Sequence, residues 1–205
     1  MVAPTGFPAL TSDNVALVII DMQGDFLDEG APCFLPGGRS VLPSLLPVLA
    51  ECRKAALRVV HVRTVWQPDG IDRSLFTTSD ILQERGLRFG EAGTEIIAEL
   101  SPLPGEYVVD KTRYSGFFQT NLESLLRSLK VTYLLFAGVA TNFCVRSTVQ
   151  DACYRDFFSV VLDDCTTTFT EAAHQQTLTD IDMGFGMSAS AEHIIQVIRG
   201  QEALA

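Results

Sequence analysis

The run Val15-Ala16-Leu17-Val18-Ile19-Ile20 constrains the fold more than any other feature of this chain. It is continuously apolar and mostly β-branched. A strand with one wet face would alternate with polar residues, and this run does not. It reads as a strand covered on both faces, the usual condition inside a parallel sheet. The run stops at Asp21. An acid at that point sits at the carboxyl edge of a sheet, where open α/β folds bind their ligands.

The pattern then alternates. Val41 to Leu57 has helical periodicity through Leu45, Leu46, Leu49, Cys52 and Ala56, with Pro43 fitting an opening turn and Pro47 expected to kink or delay it. Strands are predicted at residues 58–64, 107–110, 131–137, 158–162 and 184–188. Helices are predicted at 120–129, 142–155, 170–183 and 190–198. Thr120-Asn121-Leu122-Glu123 has the form of a capping box, and Asn142 stands as an N-cap. Residues 65–93 read as a long irregular stretch with short helical pieces, a length that usually marks function. Strands alternating with helices predict an α/β domain, a mostly parallel sheet of six strands between two helical layers. With 205 residues and no linker or repeat, residues 1–205 are expected to form one domain.

Composition narrows the partners. Asp plus Glu number 25 against 15 Lys plus Arg, a formal charge of −10. Such a chain repels phosphate and shows no basic stripe, so nucleic acid is not an expected partner. The opening Met1 to Pro8 lacks a basic stretch ahead of a long apolar run, so no secretory leader is expected. Apolar runs are too short to span a bilayer. Five cysteines, at 33, 52, 144, 153 and 165, form neither an even framework nor metal-type pairs. A cytoplasmic, reducing setting fits, with most thiols packed as small core residues.

Three strand exits carry chemistry. The first ends in Asp21, the third in Asp110-Lys111, and the fourth in Gly138-Val139-Ala140-Thr141-Asn142-Phe143-Cys144. Each has a plain structural reading: a turn acid, a solvated lysine, a packed thiol. Together they are the parts of an activated nucleophile. The first helical turn and the Lys111 cation are expected to favour the Cys144 thiolate. Asp21 would take the thiol proton and return it to a leaving amine. Backbone N–H groups in the turn would receive an oxyanion.

The segments Ala16 to Gln23, Asp110 to Phe117, Gly138 to Val145 and Val161 to Cys165 strongly resemble the isochorismatase-like cysteine hydrolases. The resemblance runs from about Val15 to Ile198. It implies the strand order 3-2-1-4-5-6 in a doubly wound sheet and a triad carried here by Asp21, Lys111 and Cys144. It implies a cis peptide before Ala140, which with Cys144 would supply the oxyanion hole. It also implies a homo-oligomer. The flavour nearest the residues is the ureidoacrylate, biuret and carbamoyl amidohydrolases, through Arg113 to Phe118. The implied reaction is hydrolysis of a small amide, ureido or carbamoyl compound through a thioester, releasing ammonia, with no cofactor.

Nicotinamidases of the family hold a metal on an Asp and histidines after strand two. Here Val65 to Arg73 contains no histidine, and His61, His174 and His193 are scattered. No metal is expected; Asp69 and Asp72 read as turn residues. Substrate contacts are expected from Gln23, Phe26, Trp66, Tyr114 and Phe117. Arg63, Arg73, Arg85, Arg88 or Arg113 would suit a substrate carboxylate, and the sequence does not choose among them. Two other functions stay open. A vinyl-ether hydrolase of the isochorismatase type would not need the thiol. A non-catalytic thiol-sensing or binding protein is opposed by the acidic Asp21-Met22-Gln23-Gly24-Asp25 where a phosphate loop would stand.

Overall fold

The computed structural model describes residues 11–77 and 84–200. The segment read for a leader, and residues 78–83 of the irregular stretch, lie outside the described residues. Strands β1 (Val15–Ile20), β2 (Arg58–Thr64), β3 (Tyr107–Lys111), β4 (Tyr133–Val139), β5 (Phe158–Thr167) and β6 (Met187–Ala189) form one sheet. Its order is β3-β2-β1-β4-β5-β6, and all its pairings are parallel. This is the order that the resemblance implies.

β1 lies at the centre, and all its residues are buried. Its side chains alternate between two cores. A short helix, α1 (Gly24–Leu27), comes after β1; Val15, Leu17 and Ile19 join helix α2 (Leu42–Lys54) through Leu45, Leu49 and Cys52, and helix α6 (Ala191–Ile198) through Ile194. Ala16, Val18 and Ile20 join helices α3 (Leu122–Ser128), α4 (Arg146–Cys153) and α5 (Glu171–Gly184) through Leu126, Val149 and Ile181. Two helical layers therefore explain why the first run has no polar alternation. Each large aliphatic side chain so buried contributes about 1.5–3 kcal/mol relative to exposure.

Local differences from the expected pattern have visible causes. Pro47 sits inside α2 without ending it. The capping box at Thr120 is not formed. Instead the Thr120 hydroxyl accepts from Leu122 N–H and donates to Gly116 O, while Glu123 pairs with Arg155. Asn142 does not cap; its side-chain oxygen accepts from the Thr168 hydroxyl. The chain from Thr141 to Val145 makes a wide π turn before α4 begins. β5 continues to Thr167 beside a register shift opposite Phe136 and Gly138, which lengthens it beyond the apolar run. By contrast Thr170 and Ser190 cap α5 and α6 through Ala173 and His193 N–H, near the predicted starts. Among the described residues no helix is long and apolar enough to cross a membrane.

Candidate active site

The carboxyl ends of four strands come level. Ile20 of β1 pairs with Val62 of β2 and Gly138 of β4, and Thr64 pairs with Lys111. Asp21, Thr64, Lys111 and the Val139-to-Cys144 turn therefore leave along one edge. At Asp21 the backbone turns into the left-handed region, φ 52°, which Asp tolerates better than most residues. Its N–H still donates to Val62 O at 2.8 Å. Gly138 has φ 109°, and a Cβ there would stand 2.0 Å from Ile20 O. Only glycine lets β4 approach β1 this closely. The Val139–Ala140 peptide is cis.

Asp21, Lys111 and Cys144 meet beneath a cavity, and all are buried. Lys111 Nζ lies 2.8 Å from Asp21 Oδ2. It donates to Cys144 Sγ at 3.4 Å, Thr64 Oγ1 at 2.6 Å and Arg113 O at 3.1 Å. The Thr64 hydroxyl donates in turn to Asp21 Oδ1 at 2.9 Å. Thr64 thus joins the acid and the amine. Nothing in its local sequence marks it; its pairing with Lys111 at the sheet edge is the signal.

The electrostatics correct one expectation. Burial, first, and then the Asp21 carboxylate push the Cys144 thiol up, outweighing the Lys111 cation. A buried thiolate beside a carboxylate is penalised twice. Burial alone would push the Lys111 ammonium down, but Asp21 and Cys144 outweigh it and hold it above the ordinary lysine range. Asp21 Oδ2 is buried against the Lys111 ammonium.

Above these groups lie two lobes of one opening. The first, about 280 Å³, is lined by Phe26, Thr64, Trp66, Phe76, Leu87 and Arg113, among others. The second, about 450 Å³, adds Val139, Ala140, Phe143 and Phe169. Phe26, Cys33, Tyr114 and Cys144 line both. Phe26, Trp66 and Tyr114 therefore stand where the sequence suggests. Gln23 and Phe117 do not. The Gln23 amide donates to Thr64 O and Thr94 O and accepts from Thr64 N–H, so it is spent on backbone. Phe117 is buried among core residues against Phe157, ring centroids 5.8 Å apart, with the Arg155 guanidinium over it.

Cys33, Phe76, Phe143 and Phe169 are lining residues that sequence reasoning missed. Burial, with Asp25 and Asp21 nearby, pushes the Cys33 thiol up to about 12. Asp25, also missed, is buried and accepts from Leu87 N–H at 2.6 Å, anchoring a cavity wall. Asp69 and Asp72 accept from Ile71 and Gln67 N–H, as turn residues do. His61 faces Glu106, and His174 Nδ1 lies 2.9 Å from Thr141 Oγ1, in the turn that leads to Cys144.

Known proteins resemble this chain along most of its length. A ureidoacrylate amidohydrolase, RutB, of Pantoea ananatis is 30% identical over 208 residues, spanning 92% of this chain and 83% of its own. A "probable inactive nicotinamidase" of Arabidopsis thaliana is 36% identical over 172 residues, 82% of this chain and 88% of its own. The crystal structure of an isochorismatase family protein from Desulfovibrio vulgaris superposes with a TM-score of 0.85 at 32% identity, covering 91% of this chain and 98% of that one. The model of the isochorismatase domain matches residues 15–193. This chain belongs to the isochorismatase family of hydrolases.

Proposed function

We propose that the protein is a cysteine-dependent amidohydrolase that cleaves a C–N bond in a small amide, ureido or carbamoyl compound. The observation that carries this reading is the contact of Asp21, Lys111 and Cys144 at the floor of a cavity. The similarity to a protein named ureidoacrylate amidohydrolase supports the bond type.

The chemistry follows from the resting charges. Asp21 Oδ2 takes the Cys144 proton as the sulfur attacks the substrate carbonyl. Lys111, already donating to Cys144 Sγ, stabilises the developing thiolate. The tetrahedral oxyanion is received by the N–H groups of Ala140 and Cys144, both in the wall of the second lobe. Asp21 returns its proton to the nitrogen, the C–N bond breaks and ammonia leaves a thioester on Cys144. Water, deprotonated by Asp21, attacks the thioester, and the acid product leaves with the thiol restored. Trp66, Phe26 and Tyr114 enclose the substrate, and the reaction needs no cofactor.

Exposed Phe76, Tyr114, Phe143 and Phe169 rim the opening, an apolar mouth suited to a second copy in a homo-oligomer. A setting in the cytoplasm fits the free thiols. One relative bears a name that includes "inactive", which favours a non-catalytic protein as the second reading. Ammonia release across amides, ureides and carbamoyl amino acids separates the two. Turnover by the wild type that is lost in Cys144→Ala is expected. Unchanged turnover in that variant refutes the thiol's role, and a silent wild type favours the second reading.

A further inference from the structure

We propose that Arg113 receives a substrate carboxylate, so that the compounds turned over are small carboxylic acids bearing an amide or ureido group. This deepens the amidohydrolase reading and rests on it.

Seven of the twelve arginines carry an ion pair among the described residues, and Arg58, Arg73 and Arg85, like Arg113, show none. Arg39, Arg53, Arg63, Arg127, Arg146, Arg155 and Arg199 each pair with a carboxylate. Among the described residues Arg113 has no carboxylate within ion-pair distance, yet it is half-buried. A half-buried guanidinium with no acid beside it leaves its charge available to an anionic ligand.

Of the five arginines that suit a carboxylate, Arg63 is taken by Asp110 and Glu95, Arg73, Arg85 and Arg88 do not line the lobe that holds Cys144, and Arg113 does. Its Nη1 donates to Asp72 O at 2.8 Å and Thr112 O at 2.9 Å. The Trp66 indole donates to the same Thr112 carbonyl at 3.2 Å. The guanidinium is thereby fixed at the Trp66 wall of the cavity. Its Nε and Nη2 make no hydrogen bond among the described residues, and that edge is one that grips a carboxylate with two parallel bonds. The rest of this lobe is largely apolar, through Phe26, Trp66, Phe76 and Leu87. The site thus offers one cation at the wall, a nucleophile at the floor and an apolar body between them.

The test uses matched pairs that differ at one end: ureido acids of two to four carbons, including 3-ureidopropionate, against alkylureas such as propylurea. The wild type is expected to prefer the acid in kcat/KM. Arg113→Gln should reduce that preference about tenfold or more, mostly through KM, and Arg113→Lys should restore part of it because it keeps the charge and loses the fork. An unchanged preference in Arg113→Gln, or none in the wild type, overturns the proposal. Calorimetric binding of the same acids to Cys144→Ala, with and without Arg113→Gln, reads recognition without turnover. Arg113-dependent binding without hydrolysis by the wild type would sink the hydrolase reading and keep the carboxylate site. Hydrolysis with no dependence on Arg113 would do the reverse. If no acid of the panel binds, the proposal fails.

Discussion

Lys111 Nζ stands 2.8 Å from Asp21 Oδ2, with both side chains wholly out of solvent, and it also reaches Thr64, Arg113 and Cys144. The ammonium compensates the buried carboxylate, and the Thr64 hydroxyl donates to its other oxygen. Replacing Lys111 by Met should destabilise the fold by about 3–5 kcal/mol, because it strands a buried charge. Adding Asp21→Asn to that variant should recover part of the loss while activity stays absent. Denaturant unfolding of the two single variants and the double variant measures this. A simple sum of the single losses would contradict it.

Gly138 brings β4 against β1, with φ 109° and an added Cβ only 2.0 Å from Ile20 O. Both objections act on one residue, and the obstacle is backbone. Gly138→Ala should cost roughly 3 kcal/mol or more, among the larger single-residue effects. Gly105, also at positive φ but with nothing near its Cβ position, should tolerate alanine with a smaller loss. Thermal unfolding of the two variants compares conformation alone with conformation plus collision.

The buried contact between Thr141 and His174 ties α5 to the turn that carries Ala140 and Cys144. His174→Ala leaves the Thr141 hydroxyl unpaired, and should cost about 1–3 kcal/mol. Because the turn also carries the proposed nucleophile, kcat should fall more than KM rises, and His174→Asn should recover part of kcat. A fall in stability with unchanged kcat in the folded variant would make the contact purely structural.

Acid should weaken the fold through the β2–β3 pair. Burial alone pushes Glu106 up, but Arg53, Leu103 N–H and His61 outweigh it and hold the carboxyl at about 2. A carboxyl lower in the fold than in the unfolded chain gives stability that is present above its ordinary 4.5 and lost as pH falls toward 2. His61 is held below its ordinary 6.5, chiefly by burial, so the unfolded chain takes that proton first and stability also declines below 6.5. Denaturant midpoints measured from pH 7 to 3 should fall throughout, and Glu106→Gln should flatten the part below 4.5.

Most of the architecture is legible because it rests on runs of side chains. The unbroken burial of Val15 to Ile20 requires helices on both faces, and strand exits follow from where those runs stop. Asp21, Lys111 and Cys144 are readable for that reason, each standing at an exit. What is not legible depends on orientation set from far along the chain. Gln23 follows Asp21 by two residues, yet Thr64 and Thr94 take its amide inward. Phe117 lies near Lys111 but turns into the core with Phe157. Thr64 ends an ordinary strand and acquires a role only because β2 pairs with β3 at Lys111. The state of Cys144 is likewise a property of its burial beside Asp21, which outweighs what helix position and Lys111 suggest.

The central claim is that Cys144 forms the bond to the substrate carbon. The most direct measurement is mass spectrometry of protein quenched in acid during turnover of an amide or ureido substrate that releases ammonia. The account predicts an added acyl mass on the peptide containing Cys144, absent without substrate and absent in Cys144→Ala. Steady turnover with the acyl mass on another residue, or undiminished ammonia release by Cys144→Ala, would contradict it.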